Sequence, residues 1–310
     1  MASSLTQSRA GRGSDVRTSW WVRNQRKMAP YIFISPFYII FAVFFLGPVV
    51  FAFVLSFFKW SGVGAMQWVG VDNFVRIAGH SRLLEAMGNS VFYVLVSLFI
   101  NFVLALSLAL VLNSTLIRGR EALRTLFFTP AITSVISISI VFLVVFNAQR
   151  GILNQALGLV GIEPIRWLES TDYARWSVSI MIAWEYVGFN SIYFLAALQT
   201  IPKELLEAAT IDGAGRAQTF WRVTLPLLRP VLLFIGVTTV IGGAQIFNEP
   251  TMLTEGGPQN TTATVAIWLY REGIANLKFG YASAIGVVMF LAIFAVSVLQ
   301  LRLFGIFRTD

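Results

Sequence analysis

Glu185 is the one charged side chain in the apolar run from Trp176 to Gln199, and it sets the chemistry this sequence can support. A charge near the centre of a membrane helix costs on the order of 2.5–3.5 kcal/mol on insertion scales, so such a group faces a cavity or a partner. Positions 182, 185, 186, 189 and 193 share a helical face that carries Glu185, Tyr186, Phe189 and Tyr193, with Asn190 next in line. Carboxylate and phenol exchange hydrogen bonds with hydroxyl groups, and flat rings cover C–H faces, so this face suits a polyhydroxylated ligand. A carboxylate in such a path disfavours an anionic cargo and favours an amine-bearing one. In a later apolar run Thr238, Gly242 and Gln245 follow one another by four and three residues, which places them on one side of a helix and lets them line the same path. The competing reading is that Gly242-Gly243 only lets helices pack closely and that Thr238 bonds its own backbone.

A second constellation is a polar island between apolar runs. Glu207-Ala208-Ala209-Thr210-Ile211-Asp212-Gly213 is followed, nine residues on, by Val223-Thr224-Leu225-Pro226. It reads as a docking surface. Pro202 suits the first position of a helix and Gly213 and Gly215 suit a C-terminal cap, which predicts a helix over about Lys203 to Asp212. On it Leu205, Ala208, Ala209 and Asp212 fall within one broad sector, where small side chains allow close approach. A second helix is expected from Arg216 to about Val223, stopped at Leu225-Pro226.

Other chemistries find no residues to carry them. The sequence has no cysteine, which removes disulfides, thiol catalysis and thiolate metal sites. His80 is the only histidine and has no second ligand at metal-binding spacing, so it reads as a surface histidine. There is no phosphate-binding glycine loop, no G-x-S-x-G elbow and no H-E-x-x-H pair. The expectation is a non-enzyme whose energy, if transport costs energy, arrives from elsewhere.

The elements that position these residues follow from composition: 56% of the chain is apolar and 12% charged. A membrane protein is implied. Crossing the hydrocarbon core takes roughly 20 apolar residues as a helix. Met28 to Phe58, Ala86 to Ile117, Thr125 to Gln149, Pro230 to Asn248 and Phe279 to Leu301 qualify without a charge, and Trp176 to Gln199 with Glu185 alone. Six transmembrane helices are predicted, in an all-α polytopic fold. Pro130 is expected to bend the third, and Pro36 and Pro48 the first. Asn101 and Ser107 in the second, and Thr129, Thr133, Ser134, Ser137 and Ser139 in the third, are assigned to helix packing and to no site. Trp60, Trp68, Trp167, Trp176 and Trp268 fall near outer helix ends, where an amphipathic ring anchors at headgroup level. Trp184, Tyr186 and Trp268 carry the alternative of stacking on a sugar.

Placing both termini in the cytoplasm puts 15 of the 23 Lys and Arg residues inside, as short cytoplasmic loops prefer. The net charge of +8 then needs no nucleic-acid partner. Residues 1–27, rich in Ser, Gly and Arg, are expected to be a disordered basic cytoplasmic tail, with the six-helix transmembrane domain over 28–310.

The loop pattern, E-A-A, three residues, G, nine residues, a hydrophobic residue, one residue, L-P, resembles the "EAA loop" of membrane subunits in binding-protein-dependent ABC importers. Val223 stands where that family usually has Ile. Leu198-Gln199-Thr200-Ile201-Pro202, Ile211-Asp212-Gly213-Ala214-Gly215 and Leu253-Thr254-Glu255-Gly256-Gly257-Pro258 resemble the carbohydrate-uptake branch, the maltose- and glycerol-phosphate-type permeases. Trp68 to Phe74 and Phe279 to Ala284 are similar too. The resemblance covers most of residues 30 to 305 and implies a type I ABC importer permease fold. It implies a cytoplasmic-membrane subunit whose EAA loop, residues 199–229, docks on an ATP-hydrolysing partner through Glu207, Ala208, Ala209, Asp212, Gly213, Leu225 and Pro226. It implies as partners a second homologous permease, two ATP-binding subunits that hold ATP and Mg, and an extracytoplasmic substrate-binding protein, with no cofactor on this chain. It also implies that solute contacts come from spans four and five.

Two other classes fit the sequence less well. An ion-gradient-driven secondary transporter would use Glu185 as its coupling carboxylate, but would show inverted repeats that are not evident between residues 30–150 and 175–305. A membrane enzyme or structural anchor lacks catalytic groups and needs no polar residues deep in span four.

Overall fold

The computed structural model describes residues 20–114 and 119–304. Among them four helices are long and apolar enough to cross a membrane: Arg26–Leu55, Ser81–Asn113, Ala174–Thr200 and Phe279–Leu303. Two bent pairs, Arg120–Ile132 with Val135–Val145 and Arg216–Leu227 with Arg229–Ala244, bring the number to six if each is one span. These are spans one to six in chain order, and they match the six apolar runs of the sequence.

The chain divides into two compact units, one ending at Phe51 and one beginning at Ala52. In the first, helix Trp20–Phe41 passes through a π turn, Ala42–Leu46, into helix Gly47–Leu55, which crosses the boundary. Pro48 offers no N–H to the preceding turn, and the wider π turn falls where that bond is lost. Pro36 lies within the first helix without interrupting it. Trp20–Lys27 is thus helical, where the sequence suggested a tail. Trp20-Trp21-Val22 adds an apolar turn, and no Gly or Pro intervenes before Ala29. Residues 1–19 of the expected tail lie outside the described residues.

In the second unit, span three is broken rather than merely bent. Helix Arg120–Phe128 tightens into a 3-10 turn, Thr129–Ile132, around Pro130; Thr133 and Ser134 are extended, and helix Val135–Val145 leaves at 100°. Span five departs from expectation at Pro226, which does not stop its helix. The π turn Phe220–Thr224 absorbs the missing N–H, Pro226 sits at the start of the turn Leu225–Leu227, and the 67° bend comes at Leu228, just before Pro230. Its membrane helix ends at Ala244, short of the expected Asn248.

Three apolar clusters hold this unit. At one end Leu83 and Ala86 of span two meet Trp268 and Val265 of the helix Val265–Tyr270 and Tyr281 and Ile285 of span six. Midway, Tyr93, Phe142, Phe146, Val178 and Met181 join spans two, three and four to Ile246 and Leu253. At the other end Ala105, Ala109 and Leu112 pack on Phe194, Leu195, Leu198, Leu228 and Ile235. Trp268 is therefore a core residue, 9% exposed, and neither an interfacial anchor nor a sugar platform. Trp68 and Trp176 do stand exposed.

The connecting segments are tied down by buried asparagines, which satisfy loop carbonyls that have no secondary structure to pair with. Asn73 Nδ2 donates to Ser56 O and Phe58 O at 2.8 and 3.0 Å. Asn89 Nδ2 reaches Asn260 O and Ala263 O, and Asn154 holds Ala148 O, Ile165 and the Trp167 indole. A two-residue hairpin, Phe58–Lys59 against Gln67–Trp68, adds a β element to the all-α expectation. His80 accepts the Leu83 N–H at 3.3 Å and caps span two.

Candidate functional site

A cavity of about 410 Å³ opens between spans two, four and five and the short helix Asn248–Thr254 that follows span five. That is the size range of small-molecule sites, roughly 300–1,000 Å³. Tyr186, Phe189, Asn190, Tyr193, Thr238, Gly242 and Gln245, all selected from sequence, line it. Glu185 does not. At about 100° per residue, Ile182, Tyr186, Phe189, Asn190 and Tyr193 occupy one arc of about 100°, and Glu185 lies about 90° from its centre. Its face of span four is packed against protein, so Glu185 is 6% exposed with Oε2 buried and without a hydrogen-bond partner. Trp184 also points away, edge-on to Phe142 at 5.6 Å.

Among the described residues the acid on the cavity wall is Glu249, one residue past the run Pro230 to Asn248 predicted for span five. It occupies the first turn of the helix Asn248–Thr254, 5% exposed, where the helix N-terminus favours negative charge. Burial pushes its carboxyl above the ordinary carboxylate range, against the opposing pull of its backbone hydrogen bond and of the Tyr186 hydroxyl, 3.5 Å from Oε1.

Asn101, assigned to packing from sequence, is also on the wall. It joins three spans: Asn190 Nδ2 donates to Asn101 Oδ1 at 2.8 Å, and Asn101 Nδ2 donates to Thr239 Oγ1 at 3.0 Å. The available signal was an amide in the apolar stretch between Ser97 and Ser107 of span two; that it packs and lines at once was not legible. The apolar side is a ladder of rings. Phe189 meets Tyr193 edge-on at 5.3 Å, and Tyr193 meets Phe234 at 5.3 Å.

The two readings of span five divide residue by residue. The Thr238 hydroxyl donates to Phe234 O at 2.8 Å and Ile235 O at 3.1 Å, so its proton serves its own helix although the residue lines the cavity. A side chain at Gly243 would meet Val94 Cα at 3.1 Å, so that glycine packs against span two as well as lining the cavity. A side chain at Gly242 would meet nothing within 4 Å, because it faces the cavity.

The loop between spans four and five forms the expected helix, Lys203–Ile211. It ends in a Schellman motif: Ala214 N–H bonds Ala209 O, Gly213 N–H bonds Thr210 O, and Gly213 has φ +78°. Gly215 is not part of that cap but opens the next helix, Arg216–Thr219. Glu207, Ala208, Asp212 and Gly213 are exposed, and Ala209, Leu225 and Pro226 are half-buried. No ion pair among the described residues includes Glu207. Ile211 at 85% and Trp221 at 65% exposure extend this surface beyond the sector expected from sequence.

Residues 103–305 match the family described as binding-protein-dependent transport system inner membrane component. The chain is 38% identical over 287 residues, 92% of its length and 90% of the relative's, to the arabinooligosaccharides transport system permease protein AraP of Halalkalibacterium halodurans. It is 34% identical over 275 residues, 87% of its length and 92% of the relative's, to the lactose transport system permease protein LacF of Rhizobium radiobacter. A crystal structure of a bacterial ABC transporter involved in import of the acidic polysaccharide alginate has a chain that superposes with TM-score 0.81 at 23% identity, over 94% of this chain and 99% of that one. The fold is therefore that of an ABC importer permease, as the loop motif implied. On the span of the match and the identity to its relatives, this chain belongs to the family of binding-protein-dependent transport system inner membrane components.

Proposed function

We propose that the chain is one of two permease subunits of an ATP-driven importer for an oligosaccharide, with the cavity between spans two, four and five as its part of the solute path. The carrying observation is the wall itself: a ladder of aromatic rings together with amides and one carboxylate, the chemistry that a polyhydroxylated solute uses. Relatives named for arabinooligosaccharides and lactose support the solute class. The wall is open on one side, where Thr238, Gly242, Gln245 and Asn248 are exposed. Polar groups facing lipid at that depth would be costly, which supports a second permease subunit as the opposite wall. Both termini and the 199–229 loop lie in the cytoplasm in this reading, and an external binding protein delivers solute to the other face.

The ion-gradient alternative loses its main residue, since Glu185 is off the cavity wall. Proteoliposomes containing the chain with its second permease, ATPase and binding protein should accumulate arabinotriose, lactose or maltose only with ATP. Accumulation driven by a proton or sodium gradient without ATP would sink the proposal.

The loop docks the ATPase. Glu207 offers an unpaired carboxylate for a charge-assisted bond beside exposed Ile211 and Trp221, and the Schellman cap fixes the turn. Glu207→Lys should lower co-purification of the ATPase at least about tenfold, the equivalent of about 1.4 kcal/mol, with membrane insertion unchanged. Gly213→Ala meets no atoms but must hold a left-handed φ, at a cost of about 1–2 kcal/mol, and should weaken the same contact more mildly. Wild-type recovery of the ATPase by Glu207→Lys would remove the docking role.

A further inference from the structure

The polar groups on the cavity wall are held in fixed orientations. Asn101 donates through Nδ2 to Thr239 Oγ1, which leaves its Oδ1 to accept, and that oxygen takes an N–H of Asn190. Asn101 and Thr239 are 4% and 9% exposed, so that end of the relay is largely shielded from water. The Asn190 amide is thereby turned so that its Oδ1 has no donor among the described residues and remains for a solute. The Thr238 proton is committed to backbone carbonyls, which leaves lone pairs, and the Tyr186 proton is directed at Glu249. Glu249 accepts through both oxygens when ionised and keeps one acceptor when protonated. Ser97, Gln245 and Asn248 are neutral and turn either way, and among the described residues no Lys, Arg or His lines the cavity.

We propose that this wall is a filter for hydrogen-bond donors: it accepts solutes that present hydroxyl or ammonium groups and rejects those bearing carboxylate, sulfonate or phosphate. Asn101 is the positioning residue that sets the filter through Asn190, and Glu249, in its ionised form, is the specificity residue that excludes anions. This goes beyond the class of solute and rests on the reading of the cavity as its path.

The test uses the assembled transporter in nanodiscs without binding protein, so that only the membrane site selects. Equilibrium binding is measured for three probes that differ at one end: arabinotriose, its reducing-end amine and its aldonate. Wild type should bind the first two within about threefold of each other and the aldonate at least about tenfold more weakly, as like-charge juxtaposition requires. Glu249→Gln, which keeps the shape, should close the aldonate gap to within about threefold of arabinotriose. Asn101→Leu should weaken arabinotriose at least about tenfold, while Asn101→Asp, which still accepts from Asn190 and can take the Thr239 proton, should stay within about threefold of wild type. A purely structural Asn101 would give the opposite order, because a buried charge is worse tolerated than Leu. Equal wild-type binding of aldonate and arabinotriose, an unchanged gap in Glu249→Gln, or the reversed order at Asn101 would overturn the filter. Failure of wild type to bind any of the three would instead overturn the path reading, and the filter with it.

Discussion

Gly188→Ala is expected to break the contact between spans three and four and to lower the melting temperature of the purified chain by roughly 6–12 °C, the equivalent of about 3 kcal/mol for a protein of this size. Gly188 is buried in the middle of span four, and a Cβ there would fall on the carbonyl of Phe127. The obstacle is backbone, so no rotamer change relieves it. Spans three and four would have to part where Phe128 stacks on Phe189, 6.1 Å away, and Phe189 is a cavity residue. Overpacking costs typically about 1–3 kcal/mol, and a collision with main chain belongs at the top of that range or above it. The control is Gly158→Ala in the helix Ile152–Leu159 between spans three and four, where an added Cβ meets nothing within 4 Å. There the gain in helix propensity should leave stability level or raised by up to about 1 kcal/mol. A Gly188→Ala protein that melts with wild type would show that the approach of the two spans is not needed.

How much of this was legible depended on whether the signal was local. The apolar runs placed six spans because length and lack of charge are properties of the segment itself. Cap chemistry placed the helix Lys203–Ile211 and its left-handed Gly213, since both are decided within one turn. Helical periodicity brought Tyr186, Phe189, Asn190 and Tyr193 together but could not say which flank of that stripe meets protein. Glu185 therefore went to the cavity in the sequence reading and to the packed face in the structure. Glu249 was missed because its place comes from the break at Gln245–Phe247, which folds the next helix back over the cavity. Asn101 was missed because its partners lie 89 and 138 residues away in the chain. Pro226 was read as a stop because nothing local announces that a π turn will absorb its missing N–H.

The adjacent glycines of span five separate transport from folding. Gly242→Trp should abolish uptake, by at least about 100-fold, because a large ring is built into the path as a deliberate clash with solute. The fold should survive, since the position has no neighbour within 4 Å and the helix gains a residue better suited to it than glycine. Gly242→Ala, a single methyl at the same place, should retain most of the uptake. One residue on, the order of effects reverses. Gly243→Leu must displace Val94, whose Cα, Cγ2 and N would lie 3.1, 3.2 and 3.5 Å from the new Cβ, so spans two and five are forced apart at a cost of about 1–3 kcal/mol. Folding should fail first: yield and melting temperature fall, and uptake falls with them, since Gly243 also lines the cavity that spans two and five wall. Uptake and thermal melting measured on the same reconstituted samples decide the matter. If Gly242→Trp transports normally, solute does not pass this wall; if it fails only because it unfolds, the open space at Gly242 is not the cavity that the neighbouring side chains define.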